Sequence, residues 1–296
     1  MPLPKMTALI TGCSDGGLGA ALALTLHATN RWRVIATARN PAKLTACTAA
    51  GIETLSLDVV SAASIASCVT ALSQLTPSLT CLIHNAGAGF TMPLMDVDIA
   101  AARDLFELNV WSVLSVTRAF LPLLRAETEG GAMVVVNTSG SATPAGMLPF
   151  AGVYNASKAA AMGLCETMRL ELEVWGVRVV NLVTGAVVTN FGGNRVVRPV
   201  LPEGSMYEVV RGEVEGVMDD EELARSGGDR MAWARSVVKE LERKRVKRWI
   251  WRGKFMSVLR VANLFPVGTF DSVMKRAMGV DKVEKRIKEV EGKKKV

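Results

Sequence analysis

The sequence predicts an α/β fold, a doubly wound parallel sheet in a single domain with a C-terminal helical extension. Three observations predict it. Short apolar segments alternate with helix-length segments from Thr7 to Val183. These segments are apolar on both sides, as strands are in a parallel sheet covered on both faces. A glycine-rich turn, Gly12-Cys13-Ser14-Asp15-Gly16-Gly17-Leu18-Gly19, joins the first strand to the first helix. Tyr154 and Lys158 stand four residues apart in a helical segment, one turn from each other on one face.

Composition bounds the rest. The chain has 296 residues, which suits one large α/β domain or two small ones, and 49% of them are hydrophobic, which excludes global disorder. Five cysteines (Cys13, Cys47, Cys68, Cys81, Cys165) are scattered and odd in number, without a C-x-x-C pair or a histidine cluster. They read as reduced thiols in a reducing compartment, with no metal site. Cys13, inside the glycine turn, is the one expected near a ligand. No signal-peptide pattern and no apolar run of transmembrane length is present. The ending Lys293-Lys294-Lys295-Val296 resembles a dilysine ER-retrieval signal; a solvated basic tail is the plainer reading. Net charge is +7, but residues 231–296 carry +12 and residues 1–230 carry −5. The basic character belongs to the C-terminal fifth and points to an anionic surface or ligand there. No nucleic-acid motif accompanies it, so no nucleic-acid partner is expected.

In chain order, Thr7–Thr11 reads as a buried strand, and the glycine turn and a helix through Ala28 follow. Strand, glycine turn and helix together let a pyrophosphate approach backbone N–H groups at a helix N-terminus. Arg33–Arg39, which includes Thr37, reads as the second strand. An acid at its end would hold a ribose 2′-OH, but Ala38-Arg39 stands there, and a guanidinium suits a 2′-phosphate. NADPH is therefore expected over NADH. A helix over 41–50 precedes a third strand over 54–59, whose Asp58 is placed at its end to meet an adenine. A helix over 61–75 and a fourth strand over 80–87, ending in Asn85-Ala86-Gly87, come next. Residues 98–125 form one long helical region, expected to break near Pro122, with Asn109 inside it. A fifth strand over 132–137 ends in the polar turn Thr138-Ser139-Gly140-Ser141. The Tyr154 helix runs to about Trp175, and the sixth strand, 177–183, leads into Thr184-Gly185-Ala186-Val187-Val188-Thr189. His27 and His84 have no partner suggesting catalysis and are taken as structural.

A Tyr/Lys pair on one helix face can exchange a proton with a carbonyl or an alcohol. A phenol has an unperturbed pKa of about 10, which a nearby ammonium lowers. Thr11-Gly12…Gly17-Leu18-Gly19, Asn85-Ala86-Gly87, Asn109, Ser141, Tyr154-x-x-x-Lys158 and Thr184-Gly185…Thr189 together resemble the short-chain dehydrogenase/reductase family over residues 5–190. The resemblance implies a Rossmann-type fold and a set of roles. Tyr154 is the general acid, Lys158 lowers its pKa and holds the nicotinamide ribose, Ser141 polarises the carbonyl, and Asn109 supports a water-linked relay to Lys158. It places the cofactor against Gly12, Ser14, Gly17, Leu18, Gly19, Thr37, Arg39, Asp58, Val59, Asn85, Ala86, Gly87, Tyr154, Lys158, Val187 and Thr189. Val187 and Thr189 hold the carboxamide. Two departures stand out. The glycine turn has one extra residue, which leaves open whether Gly16 or Gly17 is the middle glycine. Thr184-Gly185 replaces the usual Pro-Gly, so a less rigid turn is expected.

Residues 191–246 read as a loop and two helices that close over substrate, and 247–296 as a last strand, Arg248–Gly253, and a basic amphipathic extension. Leu201–Tyr207, Arg252-Gly253 and the end beginning Asp281-Lys282 resemble the fungal branch that reduces acylated glycerone phosphates. The resemblance implies an NADPH-dependent carbonyl reductase of that substrate class. The alternative is a ketoreductase acting on a polyketide-type intermediate, and Ala142, Ala145, Gly146 and Met147 suit either pocket. Trp249, Trp251, Phe255, Leu259, Leu264 and Phe265 either lie on an anionic bilayer or finish the sheet and its edge. Cytoplasmic placement, with peripheral contact at ER or lipid-droplet membrane through 247–278, is the expectation. Pairing of subunits through helices 98–125 and 154–175 is expected from the resemblance.

Overall fold

The computed structural model describes residues 6–128, 131–219 and 226–294; the end of the lysine-rich tail lies outside the described residues. Seven strands form one sheet: β1 (Met6–Ile10), β2 (Trp32–Ala38), β3 (Glu53–Ser56), β4 (Cys81–His84), β5 (Met133–Ser139), β6 (Arg178–Thr184) and β7 (Trp249–Arg252). All pair in parallel in the order β3-β2-β1-β4-β5-β6-β7. The order reverses between β1 and β4, and a crevice opens there at the carboxyl ends of the strands.

Helices cover both faces. On one side lie α1 (Leu18–Ala28), α2 (Thr45–Ala49) and α8 (Arg230–Leu241); on the other lie α3 (Ala62–Leu75), α5 (Ser112–Arg125) and α6 (Gly152–Glu173). The alternation of strand side chains divides the core. Ala8, Ile10, Ile83, Val135 and Leu182 face α1 and α8, while Leu9, Ile35, Leu82, Val134 and Val179 face the other layer. A third cluster lies beyond the sheet, where α4 (Ile99–Phe106), α7 (Arg211–Asp219) and α11 (Val280–Lys294) meet through Leu105, Val214, Met218 and Val283. The charged C-terminal helix is thereby part of the fold. Between β7 and α11 run α9 (Met256–Ala262) and α10 (Asp271–Ala277).

Three local expectations change. The long helix does not break at Pro122, which sits inside α5. Pro122 and Arg118 are both on the exposed face, where solvent, not the packed core, lies beside the carbonyl that the missing N–H leaves unpaired. The irregularity falls at Glu107–Trp111 instead, a π-helical turn in which Ser112 N bonds Glu107 O, and Asn109 lies within it. The segment 41–50 splits into a 3₁₀ turn, Pro41–Lys43, and the short α2. Trp249 and Trp251 finish the sheet, with their rings stacked at 5.8 Å, and Leu259 reaches over Gly140. Leu264 and Phe265 remain exposed. The outward faces of α4 and α6, where the resemblance places subunit pairing, expose Ile99 and Leu170.

The edge strand β7 is tied down by a buried carboxylate. Glu240 on α8 accepts from Arg252 Nη2 at 2.5 Å, and Arg243 Nε lies 3.1 Å from its other oxygen. Removing one partner of a buried pair leaves the other charge uncompensated. Glu240→Ala is expected to cost about 2 kcal/mol, below the fully buried range because Arg252 stays partly solvated. Denaturant unfolding checks this, and an unchanged midpoint would show that the pair contributes nothing.

Candidate active site

The crevice is a single open cleft of about 2760 Å³ running from the glycine turn, across the ends of β4, β5 and β6, to α9 and α10. Its first wall is the turn after β1. Gly12 has φ +71°, and a Cβ there would sit 2.8 Å from Ala86 Cα, so the residue must be glycine. Gly17 is the N-cap of α1 and makes no side-chain cap bond, which leaves the first N–H groups of the helix open to the cleft. Gly16, at φ +79°, is the extra residue of the turn, and Asn190 lies directly over it. Gly17 therefore takes the place of the middle glycine. Asn190 Nδ2 donates to Asp15 O at 3.3 Å, bringing the segment after β6 across the turn.

The predicted residues fall into two groups. Gly12, Ser14, Gly17, Leu18, Arg39, Val59, Asn85, Ala86, Gly87, Val187, Thr189, Ser141, Tyr154 and Lys158 line the cleft. Thr37 does not: it is fully buried, and its Oγ1 donates to Ile10 O at 2.9 Å, bracing the strand beneath the turn. Gly19 lets α1 pack on the Gly12 carbonyl. The carboxylate of Asp58 accepts from Val60 N at 3.2 Å, and its neighbours Leu57 and Val59 form the wall instead. Cys13 points into the core, where its Sγ donates to Ile10 O and burial pushes its pKa up. Ala145 and Gly146 line the cleft as expected, whereas Met147 is exposed outside it.

At the floor, Tyr154 projects from the first turn of α6 beside Phe191, with ring centroids 6.1 Å apart. Desolvation raises the pKa of its phenol, and hydrogen bonds from the Ser139 and Ser141 side chains oppose that rise. Lys158 stands close to that phenol. The ammonium lies 5.9 Å from the tyrosine ring centroid and donates to Asn137 O at 3.2 Å. Burial pushes Lys158 itself down to about 8. Asn109 is buried and bonds Ala88 in both directions, Ala88 N to Oδ1 and Nδ2 to Ala88 O, each at 3.0 Å. Its Nδ2 also reaches Ser157 Oγ at 3.1 Å, so the side chain joins the loop after β4 to α6. Burial holds His84 at about 3, and its Nε2 lies 2.8 Å from Thr117 Oγ1. It is a neutral structural group.

The Thr184-Gly185 turn is pinned despite lacking proline. Thr184 Oγ1 donates to Asn137 Oδ1 at 2.6 Å, and Gly185 N bonds Arg252 O at 2.9 Å. Asn137, Lys43 and Phe191 line the cleft and were passed over by the sequence reading, whereas Ser139, also in the lining, was set aside there in favour of Ser141. Asn137 carried a signal, as a lone amide ending a run of valines. Lys43 lies one turn beyond Arg39 on the same wall, and neither cation makes a side-chain ion pair among the described residues. Open helix-terminal N–H groups, glycines that a Cβ would obstruct and two free cations fit a phosphorylated dinucleotide.

The sequence profile of the short chain dehydrogenase family matches residues 6–197. The chain belongs to the short-chain dehydrogenase family. It is 41% identical over 287 residues to a short-chain dehydrogenase/reductase of Pestalotiopsis microspora, spanning 96% of this chain and 98% of the relative. It is 34% identical over 275 residues to the NADPH-dependent 1-acyldihydroxyacetone phosphate reductase of Schizosaccharomyces pombe, spanning 88% and 90%. Among solved structures it is similar to an alcohol dehydrogenase of the archaeon Thermococcus sibiricus complexed with 5-hydroxy-NADP. That match has a TM-score of 0.65 and 25% identity, over 85% of this chain and 98% of that one. As a short-chain dehydrogenase, the chain is an oxidoreductase whose fold binds a nicotinamide cofactor.

Lys158 makes stability depend on pH in this dehydrogenase. Its pKa falls from 10.5 in the open chain to about 8 when folded. The unfolded chain binds the extra proton between those values, so stability rises with pH across that window and the full penalty is present below it. In the cofactor-free protein, Lys158→Met is expected to be about 1–3 kcal/mol more stable than wild type at neutral pH. The gain should fade as pH climbs through the window. Thermal unfolding against pH checks this; a gain independent of pH would show that the ammonium carries no penalty.

Proposed function

We propose that this short-chain dehydrogenase is an NADPH-dependent carbonyl reductase whose substrate is the ketone of an acylated glycerone phosphate. The observation that carries the reaction class is the meeting of Ser141, Tyr154 and Lys158 on the floor of the cleft that holds the open end of α1. Bound there, the nicotinamide supplies the hydride that reaches the carbonyl carbon. Tyr154 Oη gives its proton to the carbonyl oxygen, and Ser141 Oγ hydrogen-bonds that oxygen as charge develops on it. The Lys158 ammonium steadies the phenolate left behind. Asn109 keeps the loop at Gly87 and Ala88 against α6, so that nicotinamide ribose and phenol share one geometry. Backbone groups of Ser14, Gly17 and Leu18 would hold the pyrophosphate, Leu57 and Val59 would flank the adenine, and Val187 and Thr189 would hold the carboxamide.

Arg39 and Lys43 support NADPH over NADH, because two free cations on the adenosine wall match a 2′-phosphate. Arg39→Ala is expected to lower kcat/KM with NADPH by roughly tenfold to a hundredfold, the worth of one charged hydrogen-bond contact, and to leave NADH turnover unchanged. Wild-type rates that are equal with the two cofactors would refute the assignment.

For the substrate, Met256, Leu259, Val261, Val273 and Met274 give the far end of the cleft an apolar wall, with Arg276 and Lys282 on its border. An acyl chain with a phosphate suits both features, and the Schizosaccharomyces relative is named for such a substrate. The rival is a polyketide-type ketone, favoured by the Phe191 ring beside Tyr154, on which a planar aromatic can stack. NADPH oxidation against both ketone sets decides: turnover of acyl-glycerone phosphates alone supports the first, and turnover of aromatic ketones alone replaces it.

The mouth of the cleft supports delivery from a lipid surface. Val258, Leu264 and Val267 are 70%, 83% and 87% exposed on α9 and the loop after it, with Arg260, Lys275 and Arg276 nearby in sequence. Among the described residues no helix is long and apolar enough to cross a membrane, so the contact is peripheral. Co-sedimentation with phosphatidylserine-containing vesicles is expected for wild type and lost in Leu264→Asp/Val267→Asp. Equal recovery of both proteins in the pellet would remove the membrane role.

A further inference from the structure

Asn263 follows α9 in the C-terminal extension, well beyond residues 6–197, the span that the family profile matches. Its side chain meets the turn that carries Ser141. Asn263 Nδ2 donates to Thr143 Oγ1 at 3.0 Å, and Asn263 Oδ1 accepts from Ala145 N at 3.2 Å. Nδ2 also donates to Leu259 O at 2.8 Å, back along its own helix. Together the three bonds fix which end of the amide is which. Turned over, Oδ1 would face the Leu259 carbonyl and Nδ2 would face the Ala145 N–H, two contacts of like with like.

Thr143 carries the contact on to the serine. A hydroxyl has one proton to give, and Thr143 Oγ1 gives it to Gly140 O at 2.8 Å. Its lone pairs are then left to accept from Asn263. Gly140 O also accepts Thr143 N at 3.1 Å, which closes the 3₁₀ turn Gly140–Ala142 around Ser141. Gly146 N bonds Thr143 O at 2.9 Å and ties in the next turn, Pro144–Gly146. Asn263 therefore grips both turns, one through Thr143 Oγ1 and the other through Ala145 N.

Packing brings the same two elements together. A Cβ on Gly140 would lie 2.6 Å from Met256 Cε and 2.7 Å from Leu259 Cδ2, and one on Gly146 would lie 2.8 Å from Leu259 Cδ2. α9 thus rests on the serine turn with no room for a side chain beneath it. Apolar contact holds the two surfaces together without direction. The directional bonds from α9 to this turn are those of Asn263, so they set how the turn sits.

We propose that Asn263 is a positioning residue for the reduction, holding the turn of Ser141 through Thr143 and Ala145. Neither Asn263 nor Thr143 is part of the cleft lining, so the effect reaches the substrate through Ser141. The role rests on the reductase reading. Ser141 Oγ has to meet the carbonyl oxygen as charge develops on it, and a shift of about 1 Å can cost roughly a hundredfold in rate.

The first test is NADPH oxidation with palmitoyl-glycerone phosphate, or with the aromatic ketones should those be the substrates. Asn263→Ala is expected to lower kcat roughly tenfold to a hundredfold with little change in either KM, because the interaction it weakens forms in the transition state. In a Ser141→Ala background the same substitution should cost less than about twofold, since the two residues act as one unit. Thr143→Val should reproduce the loss, and Thr143→Ser should recover most of it. An unchanged kcat in Asn263→Ala overturns the proposal. So does an equal loss in both backgrounds, which would make Asn263 a general support of the fold. Should Asn263→Ala not fold, Asn263→Asp keeps the size and the acceptor for Ala145 N, removes the donor to Thr143, and is expected to act in the same direction. Amide hydrogen exchange provides an arm that needs no ketone. The peptide over 140–146 should exchange about tenfold faster in Asn263→Ala, the worth of one hydrogen bond, and unchanged exchange overturns the proposal. If no ketone is reduced, the reductase reading falls, while the exchange result still decides whether Asn263 holds the turn.

Discussion

A seam of polar side chains across the carboxyl ends of four strands sets everything above it. Thr11 Oγ1 at the end of β1 accepts from both Asn85 N and Ala86 N at 3.0 Å. Asn85 Nδ2 returns to Thr11 O and Gly12 O, also at 3.0 Å. Asn137 on β5 donates to Asn85 Oδ1 at 3.1 Å and accepts from Thr184 on β6. Parallel strands end in splayed loops whose backbone groups have no ladder partner, and buried polar groups must be satisfied. Here the side chains satisfy one another and lock β1, β4, β5 and β6 in relative height. Gly12, Gly87, Ser139 and Thr184 each neighbour a member of the seam in sequence or belong to it. The glycine turn after β1, the loop after β4, the turn that carries Ser139 and Ser141, and the segment after β6 are therefore positioned by one network. Asn137 has the most to hold, since its carbonyl also anchors Lys158.

Above that floor the electrostatics come from enclosure. Lys158 and Tyr154 both lose water, and each is displaced toward its neutral form. Two neutral-leaning partners make a poor salt bridge but a responsive acid–base pair, because a newly bound charge or dipole alters both. The enclosure is built late in the chain. Phe191 lies against Tyr154, Val196 N bonds Gly89 O at 3.1 Å, and Arg195 pairs with Asp219 on α7. α7 is in turn held by α11 through Val283 and by Arg286 at 3.4 Å from Glu213. The pKa values at the floor thus depend on packing at the far end of the sequence.

What was legible in the sequence divides along physical lines. The strands, their parallel arrangement and the cleft at their carboxyl ends followed from apolar periodicity and the glycine turn. Ser141, Tyr154, Lys158 and Arg39 could be named because their spacing or strand-end position carries chemistry. Thr37 was misplaced because strand position does not say which way a side chain points: its hydroxyl turns to Ile10 and the residue is fully buried. Cys13 failed for the same reason. The π turn at Asn109 had no pattern, since one extra residue in a helical turn leaves the apolar period almost intact. Pro122 supplied a false break because the rule against interior proline assumes a carbonyl that water cannot reach. Ser139 was set aside because Ser141, not Ser139, stands thirteen residues before Tyr154.

The basic C-terminus shows how far composition can carry an argument. An excess of +12 over residues 231–296 invites an anionic partner, but the structure spends part of that charge internally. Arg252 and Arg243 neutralise Glu240, Arg286 meets Glu213 on α7, and Lys275 lies 2.5 Å from Glu284. Surface pairs of this kind add little stability, but they lower the field that a distant anion feels. Of the cations that remain, Arg276 and Lys282 lie on the border of the cleft, and Arg260 lies among the exposed apolar residues of α9. Charge alone would not select between a phosphate and a bilayer. On the membrane reading proposed above, the apolar side chains beside it favour the bilayer, because a soluble anion gains nothing from Val258, Leu264 and Val267, whereas an acyl layer does. The same apolar surface continues inward as the wall of the cleft through Leu259 and Val261, so a chain leaving the bilayer would keep an apolar neighbour along its path to Tyr154.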